Sequence, residues 1–336
     1  MRAVTINQYG GPEVVQYQND VPVPQPGDGD VLVAVACAGI NFMDIHTRQG
    51  KYANSQTYAV RAPCTLGMEG AGTIVAVGNS VDFLRVGQRV AWCISWGSFA
   101  EYACVPSSLV AVIPEEIGFD VAAAAMFQGC TAHYLVNDVA KLKRGMDCLV
   151  HAASGSIGQI LIQMARMSGA TVYATASTDE KRAVATQRGA NVVLPYEGGL
   201  FAERIRELTS GNGVHVVFDS LGKTTLRASM RATRKQGLII NYGNVSGSVN
   251  DLDPYELGEQ GSLFLTRPRL ADYMVDHATV QRRADAIFSA IRDRHLFIDI
   301  ADSVDFCDIS TVHAAIEARD QIGKCVAWIG SRSVSP

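Results

Sequence analysis

The chain has 336 residues, 48% of them hydrophobic, with 29 Lys plus Arg against 33 Asp plus Glu and a formal net charge of −4. That length buries a sizeable core in two domains or one large one, and no strongly basic stretch points to nucleic acid or an anionic membrane surface. No apolar run approaches the roughly 18 residues of a membrane span, and MRAVTINQYG lacks the long apolar stretch of a secretory signal, so the expectation is a cytoplasmic protein.

In chain order, the first third reads as strands and turns. VLVAVACAGI (31–40) follows the turn-rich PVPQPGDGD (22–30), GAGTIVAVG (70–78) is bounded by glycines, and VGQRVAWC (86–93) opens on a Gly-centred turn. This is a Gly-rich β domain, barrel or sandwich. The pattern then changes. CLVHAA (148–153) is a short apolar run, QILIQMARMSG (159–169) has helical spacing, TVYATAS (171–177) is a strand and EKRAVATQRG (180–189) a helix. NVVLPY (191–196), a helix from about Phe201 to Thr209, VHVVFDS (214–220) and GLIINYG (237–243) continue the alternation. Such alternation predicts a parallel sheet with crossover helices and strands buried on both faces. A helix near 280–293 and the apolar CVAWIG (325–330) close the chain.

The 8 cysteines, Cys37, Cys64, Cys93, Cys104, Cys130, Cys148, Cys307 and Cys325, form no Cys-x-x-Cys pair and sit in apolar runs. They read as buried reduced thiols.

The most informative segment is CLVHAASGSIGQILIQMARMSGATVYATAST (148–178), which supplies strand, Gly-rich turn, helix and second strand. A tight turn followed by a helix N-terminus presents backbone amides and positive dipole density to a dinucleotide pyrophosphate. Gly155 gives close approach, Gly158 lets the helix pack on the strand, and Ala153 stands where the usual fingerprint has its first Gly. Ser154 and Ser156 either contact the ligand or cap the helix. The second strand ends without an acidic residue through Thr178. Ser177, Thr178 and Lys181 therefore suit a ribose 2′-phosphate and predict NADPH over NADH; in the alternative, Ser177 or Thr178 is a cap and Lys181 a solvated helix residue. Asp179 counts against this unless it points away. Asp219 with Gly222, and Asn241, Gly243 and Asn244, stand at two later strand ends, where ligands collect in open α/β sheets. Asp219 suits a structural cap equally well.

The segments GGPEVVQY (10–17), GINFMDIHTRQGKY (39–52), LGMEGAGTIVAVG (66–78), HAASGSIGQ (151–159), VVFDSLG (216–222), YGNVSG (242–247) and GSLFLTRP (261–268), in this order, resemble the zinc-independent quinone oxidoreductase (zeta-crystallin-like) branch of the medium-chain dehydrogenase/reductase superfamily. The resemblance covers nearly the whole chain. It implies an α/β protein with a discontinuous GroES-like β-rich catalytic domain (1–125 and 268–336) and a Rossmann doubly wound NADPH-binding domain (126–267). It also implies an active-site cleft and a homodimer. Asn41, Tyr52 and Thr131 match nicotinamide-side contacts. Gly155, Ser156, Ile157 and Gly158 match the phosphate turn, and Ser177, Lys181 and Tyr196 the adenine-phosphate side. Asn241, Gly243 and Asn244 match the later loop. The turn departs from a common AAAGGVG pattern, and Gln128 stands where relatives often carry Lys.

Zinc-dependent relatives carry ligands at the positions resembling Asn41, Met68 and Phe127, and this trio makes no zinc site; a set of Cys37, His46 and Glu69 is a weak alternative. The expected chemistry is hydride transfer from NADPH to a small hydrophobic electrophile, a quinone or an activated alkene, with hydrogen bonds stabilising the resulting anion. Tyr52 is the leading side-chain donor and Asn41 an orienting residue. Trp92, Trp96 and Phe127 are either apolar walls or core, and Asp44 sets the loop beside Asn41. Alternatives are an enone or haloacrylate reductase using Arg267 or Arg269 on a carboxylate, and a noncatalytic NADPH-binding or RNA-binding protein.

Overall fold

The computed structural model describes residues 1–318 and 322–330, the side chain of Glu197 excepted. Within the expected carboxy-terminal domain segment, 319–321 and 331–336 lie outside the described residues. The backbone divides into two compact units, Met1–Cys130 with the chain from Tyr273 onward, and Thr131–Asp272.

The first unit contains β1 (Ala3–Ile6), β2 (Val15–Gln18), β3 (Asp30–Ile40), α1 (Phe42–Arg48), β4 (Cys64–Thr65), β5 (Glu69–Val77), β6 (Arg89–Cys93), β7 (Tyr102–Pro106) and β8 (Val110–Val112). A helix α2 (Phe119–Tyr134) carries the chain past Cys130. The larger sheet is antiparallel around β3, which pairs with both β5 and β7. Its sequence is buried almost throughout, hence the absence of two-residue alternation. Register irregularities between Leu32 and Val33 and between Val35 and Cys37 bend this pair, as bulges do in closing sheets. Gly72 on β5 is required there, because a Cβ would lie 2.1 Å from the Ala34 carbonyl oxygen. The core is mainly aliphatic with aromatic members, and Val33, Ile74, Trp92 and Phe99 are fully buried.

The second unit begins after α2 with β9 (Asp147–Val150), α3 (Ser156–Met167), β10 (Thr171–Thr175), α4 (Asp179–Gln187), β11 (Val192–Leu194), α5 (Phe201–Leu208), β12 (Val214–Asp219), α6 (Leu226–Ala232), β13 (Thr233–Asn241), α7 (Pro254–Glu259) and β14 (Phe264–Thr266). The six strands lie in the order β11-β10-β9-β12-β13-β14 and every pairing is parallel. The chain works outward from β9 to one edge and then returns to build the other half, which creates a switch point between β9 and β12. In such doubly wound sheets ligands collect at the carboxyl ends beside this point. The predicted strand 237–243 is displaced: β13 starts at Thr233 and stops at Asn241, leaving Tyr242–Asn244 in the loop beyond the sheet.

After Tyr273 come α8 (His277–Arg292), β15 (Ile300–Asp305), α9 (Ile309–Ala318) and β16 (Lys324–Trp328). The helix predicted near 280–293 begins earlier because Asp276 caps it, accepting from the Thr279 amide at 2.7 Å. The late apolar segment is an interior strand of the first unit's sheet, with β16 antiparallel to β3 and parallel to β15.

Candidate active site

In the second unit, β9 runs into the turn and α3 begins at Ser156, with Gly155 as its N-cap and no side-chain cap. The first amides of a helix have no intrahelical acceptor, so those of Ser156, Ile157 and Gly158 form an uncapped, electropositive end. The two glycines do different work. A Cβ at Gly158 would come within 2.5 Å of the Ala152 carbonyl and 2.8 Å of the Ala153 Cα, so this residue seats the helix on the strand. A Cβ at Gly155 would meet only the Ala152 oxygen, at 3.3 Å, and the residue is exposed. Space is therefore left open over the turn, which fits a diphosphate. Ala152 holds a left-handed conformation, φ +49°. Neither Ser154 nor Ser156 caps α3.

Past β10, Ser177 is half-buried and Thr178 caps α4, its Oγ1 accepting from the Lys181 amide at 3.2 Å. Asp179 points away: its carboxylate is almost fully exposed and pairs with Arg182. Arg182 also reaches the Ser177 carbonyl at 3.4 Å; sequence reasoning missed this second cation, whose signal was its position four residues after the cap. Tyr196 is half-buried two residues beyond β11.

At the far strand ends, Asp219 is a buried structural acceptor for the Leu221 and Gly222 amides, both at 2.9 Å. Asn241 Nδ2 donates to the Gly243 carbonyl at 3.0 Å and pins the loop. Gly243 is glycine because of its packing against a neighbouring loop. A Cβ there would lie 2.4 Å from the Ser220 carbonyl oxygen, so the residue is required by chain against chain. Asn244 is exposed and donates to Ser248 Oγ at 3.3 Å. Thr131 is buried and its hydroxyl has no hydrogen-bond partner among the described residues, which leaves it available to a ligand or an ordered water.

In the first unit, Asn41 caps α1 in a reciprocal box with Asp44, whose Oδ2 accepts the Asn41 amide at 2.7 Å. Burial pushes the Asp44 carboxyl up to about 7, against the lowering effects of the Asn41 amide and the Lys324 charge. The Asn41 carboxamide is fully engaged. Its Nδ2 donates to Glu69 Oε2 at 2.9 Å and to the Gly39 carbonyl at 3.2 Å, while its Oδ1 accepts from Lys324 Nζ at 2.7 Å and Gln128 Nε2 at 2.8 Å. Lys324 completes an ion pair with Glu69 at 2.7 Å, both side chains essentially inaccessible. In this arrangement Asn41 offers no free hydrogen-bonding position to a ligand, which corrects the expectation of a direct contact. The correction follows from Lys324, a residue the sequence reading did not single out. A divalent cation here would face the Lys324 ammonium. Cys37, His46 and Glu69 do not assemble as a metal-holding group among the described residues.

Tyr52 lies against His46, 3.3 Å from its Nδ1. Burial lowers the His46 pKa to about 4, with Lys51 adding to the effect, so the imidazole is neutral near pH 7. Rings stack edge to face from Phe42 to His46, His46 to Tyr52 and Tyr52 to Tyr58, and Tyr58 continues to Trp96 at 6.1 Å. Trp96 is held by donation to Thr47 Oγ1 at 3.0 Å. Trp92, in contrast, is wholly buried core. Phe127 contributes its backbone amide, which donates to Glu69 Oε1. Arg267 and Arg269 are both exposed.

An antiparallel β-rich unit and a six-stranded doubly wound unit with a Gly-rich first turn, in one chain, define the medium-chain dehydrogenase/reductase class. Residues 27–115 match the family described as alcohol dehydrogenase GroES-like domain and residues 156–281 the one described as zinc-binding dehydrogenase. The chain is 35% identical to a quinone oxidoreductase of Pseudomonas aeruginosa over 95% of this chain and 96% of the relative. It is 34% identical to a 2-haloacrylate reductase of a Burkholderia species over 96% and 98%. The structure of Escherichia coli quinone oxidoreductase complexed with NADPH superposes with a TM-score of 0.91 at 30% identity, covering 98% of this chain and all of that one. The chain belongs to the zinc-independent quinone oxidoreductase branch of the medium-chain dehydrogenase/reductase superfamily.

Proposed function

We propose that this chain is an NADPH-dependent oxidoreductase that passes reducing equivalents to a quinone. The observation that carries the reading is the turn at 152–158, where uncapped amides face space kept free by Gly155 while Gly158 is consumed by packing. Gly155, Ser156, Ile157 and Gly158 hold the diphosphate, and Thr131, whose buried hydroxyl has no partner among the described residues, meets the nicotinamide half. Ser177 and Lys181, with Arg182 beside them and Tyr196 on the adenine side, take the 2′-phosphate. Asp179, turned to Arg182, does not oppose it. Asn241 and Gly243 shape the wall of the cofactor cleft, and Asn244 lies on its exposed rim. The domain assignment follows: the second unit binds cofactor and the first supplies acceptor-side groups.

The bound cofactor supplies the hydride. The chain must then hold the acceptor and stabilise the anion. The aromatic run from exposed Phe42 through half-buried His46, Tyr52, Tyr58 and Trp96 offers edges and faces to a planar apolar acceptor. Tyr52 is the hydroxyl donor to the reduced acceptor, and neutral His46 keeps that hydroxyl oriented. Asn41 acts as a fixed buried floor, locked by Lys324 and Gln128. An activated alkene is the second acceptor class, favoured by the extent of similarity to the 2-haloacrylate reductase. The protein is proposed to be cytoplasmic, homodimeric and without a nucleic-acid partner. No helix among the described residues is long and apolar enough to cross a membrane.

NADPH oxidation followed spectrally against matched quinones and activated alkenes, with NADH in parallel, tests this. Selective NADPH-dependent quinone reduction is expected. Selective alkene turnover replaces the acceptor but keeps the cofactor. Tight NADPH binding with no turnover across the panel points to a noncatalytic role. Lys181→Glu should lower the NADPH/NADH preference about tenfold, the scale of one charged contact; an unchanged ratio sinks that assignment.

A further inference from the structure

Four fully buried polar side chains lie beneath the turn: His151 directly after β9, Thr175 at the end of β10, Asp219 at the end of β12, and Ser229 in α6. Their proton directions follow from one end. Asp219 Oδ1 takes two backbone N–H groups, which can only donate, the Thr225 hydroxyl lies 2.9 Å from both carboxylate oxygens as a further donor, and Oδ2 accepts from Ser229 Oγ at 3.0 Å. The single Ser229 proton is thereby used, so its oxygen must accept from His151 Nε2–H at 2.9 Å. Burial keeps the imidazole neutral. With its proton on Nε2, its Nδ1 accepts from Thr175 Oγ1–H at 2.7 Å. The ring is packed edge-on against Phe201 at 4.8 Å, and the His151 amide donates to the Phe218 carbonyl at 3.0 Å. This is not a hydrolytic triad, because the carboxylate bonds the serine rather than the imidazole Nδ1 and no member reaches solvent.

The residue that follows is Ala152, whose left-handed φ of +49° is strained for a side chain with a Cβ. Its carbonyl is the atom against which Gly158 packs and to which the Gly155 amide donates at 3.0 Å. The orientation of this one peptide therefore sets the whole turn.

We propose that His151 is a positioning residue for the dinucleotide: the directed chain Thr175 to His151 to Ser229 to Asp219 ties the ends of β9, β10 and β12 together and holds the Ala152 peptide so that the turn amides are preset for a diphosphate. The proposal rests on reading the turn as the NADPH site.

The test combines imidazole 15N spectra of the wild-type protein without cofactor and NADPH dissociation constants from cofactor fluorescence. The spectra should show His151 as the neutral Nε2–H tautomer. His151→Leu should raise the NADPH Kd about tenfold while kcat at saturating NADPH stays within about twofold. His151→Gln, which keeps a donor toward Ser229, should recover most of the affinity. A neutral Nδ1–H tautomer, a charged imidazolium, or a folded His151→Leu with wild-type Kd overturns the proposal. If His151→Leu does not fold, Ser229→Ala decides: a Kd raised severalfold supports the role, and an unchanged Kd rejects it. Wild-type protein that binds no NADPH rejects the cofactor reading and the positioning role together, whereas the tautomer is read without cofactor and judges the proton chain separately.

Discussion

Lys324 is the residue on which the polar interior of the first unit depends. Its ammonium neutralises Glu69, itself wholly buried, and fixes the Asn41 oxygen. Removing one partner of a buried pair leaves an uncompensated charge and costs about 3–5 kcal/mol, whereas removing both charges together costs far less. Lys324→Met should therefore lower unfolding free energy by that amount in urea titrations, and Lys324→Met combined with Glu69→Gln should regain most of it. Asp44 gives the unit a pH dependence. Its folded pKa, about 7, stands above the ordinary carboxylate value, so the folded state binds the extra proton. The stabilisation is full below about 4 and is lost as pH rises through about 7. Asp44→Asn keeps an acceptor for the Asn41 amide, and it should flatten the pH 4–7 slope of stability measured by denaturant unfolding. Tyr52→Phe should slow acceptor reduction by about a hundredfold, the lower end of general acid–base effects; an unchanged rate and pH profile means the phenol transfers no proton.

At the scale of elements, the strand–turn–helix of β9 and α3 separates folding from binding within four residues. Gly158→Ala forces a Cβ into the Ala152 carbonyl, where backbone cannot give way; overpacking of this kind costs about 1–3 kcal/mol and should show as a lower Tm. Gly155→Ala adds a methyl whose one close neighbour is the Ala152 oxygen at 3.3 Å, at an ordinary φ of −70°. It should leave the Tm nearly unchanged and raise the NADPH Kd at least severalfold. Equal effects of the two substitutions on Tm would contradict the division of labour. This element was legible in the sequence because its apolar spacing, glycines and length are all local. The extent of β13 was not. Its first residues are polar and pair with β12 through a register irregularity between Val214 and Val216, a feature of the neighbouring strand that carries no local signal.

At the scale of the molecule, β14 is the outer strand of its sheet and carries Phe264 at 62% exposure, with Tyr255 of α7 at 70%. An unpaired strand edge with exposed aromatic groups favours pairing with a second copy. Light scattering after size exclusion should give twice the 36.0 kDa of one chain. Phe264→Arg should shift the protein toward monomer with its NADPH affinity retained, and a wild-type monomer would reject the homodimer.

By itself the sequence determined the alternation of strands and helices from β9 through β12, the glycine turn that suits a diphosphate, and the absence of an acidic residue at the end of β10, but not α6, α7 or β14. These are properties of contiguous stretches, where side-chain periodicity and backbone permissiveness act over a few residues. Only the tertiary structure decided which polar groups complete one another. Lys324 meets Glu69 across 255 positions and Asn41 across 283. Arg48 is buried against Glu317 across 269, and His151 finds Ser229 across 78. The same contacts made Asn41 a closed hydrogen-bonding junction, and they decided between readings the sequence had left open: Trp92 is core and Asp219 is a structural acceptor. The physical reason is that a buried polar group is defined by the partner that satisfies it, and that partner is brought close by chain topology, which no local pattern of residues encodes.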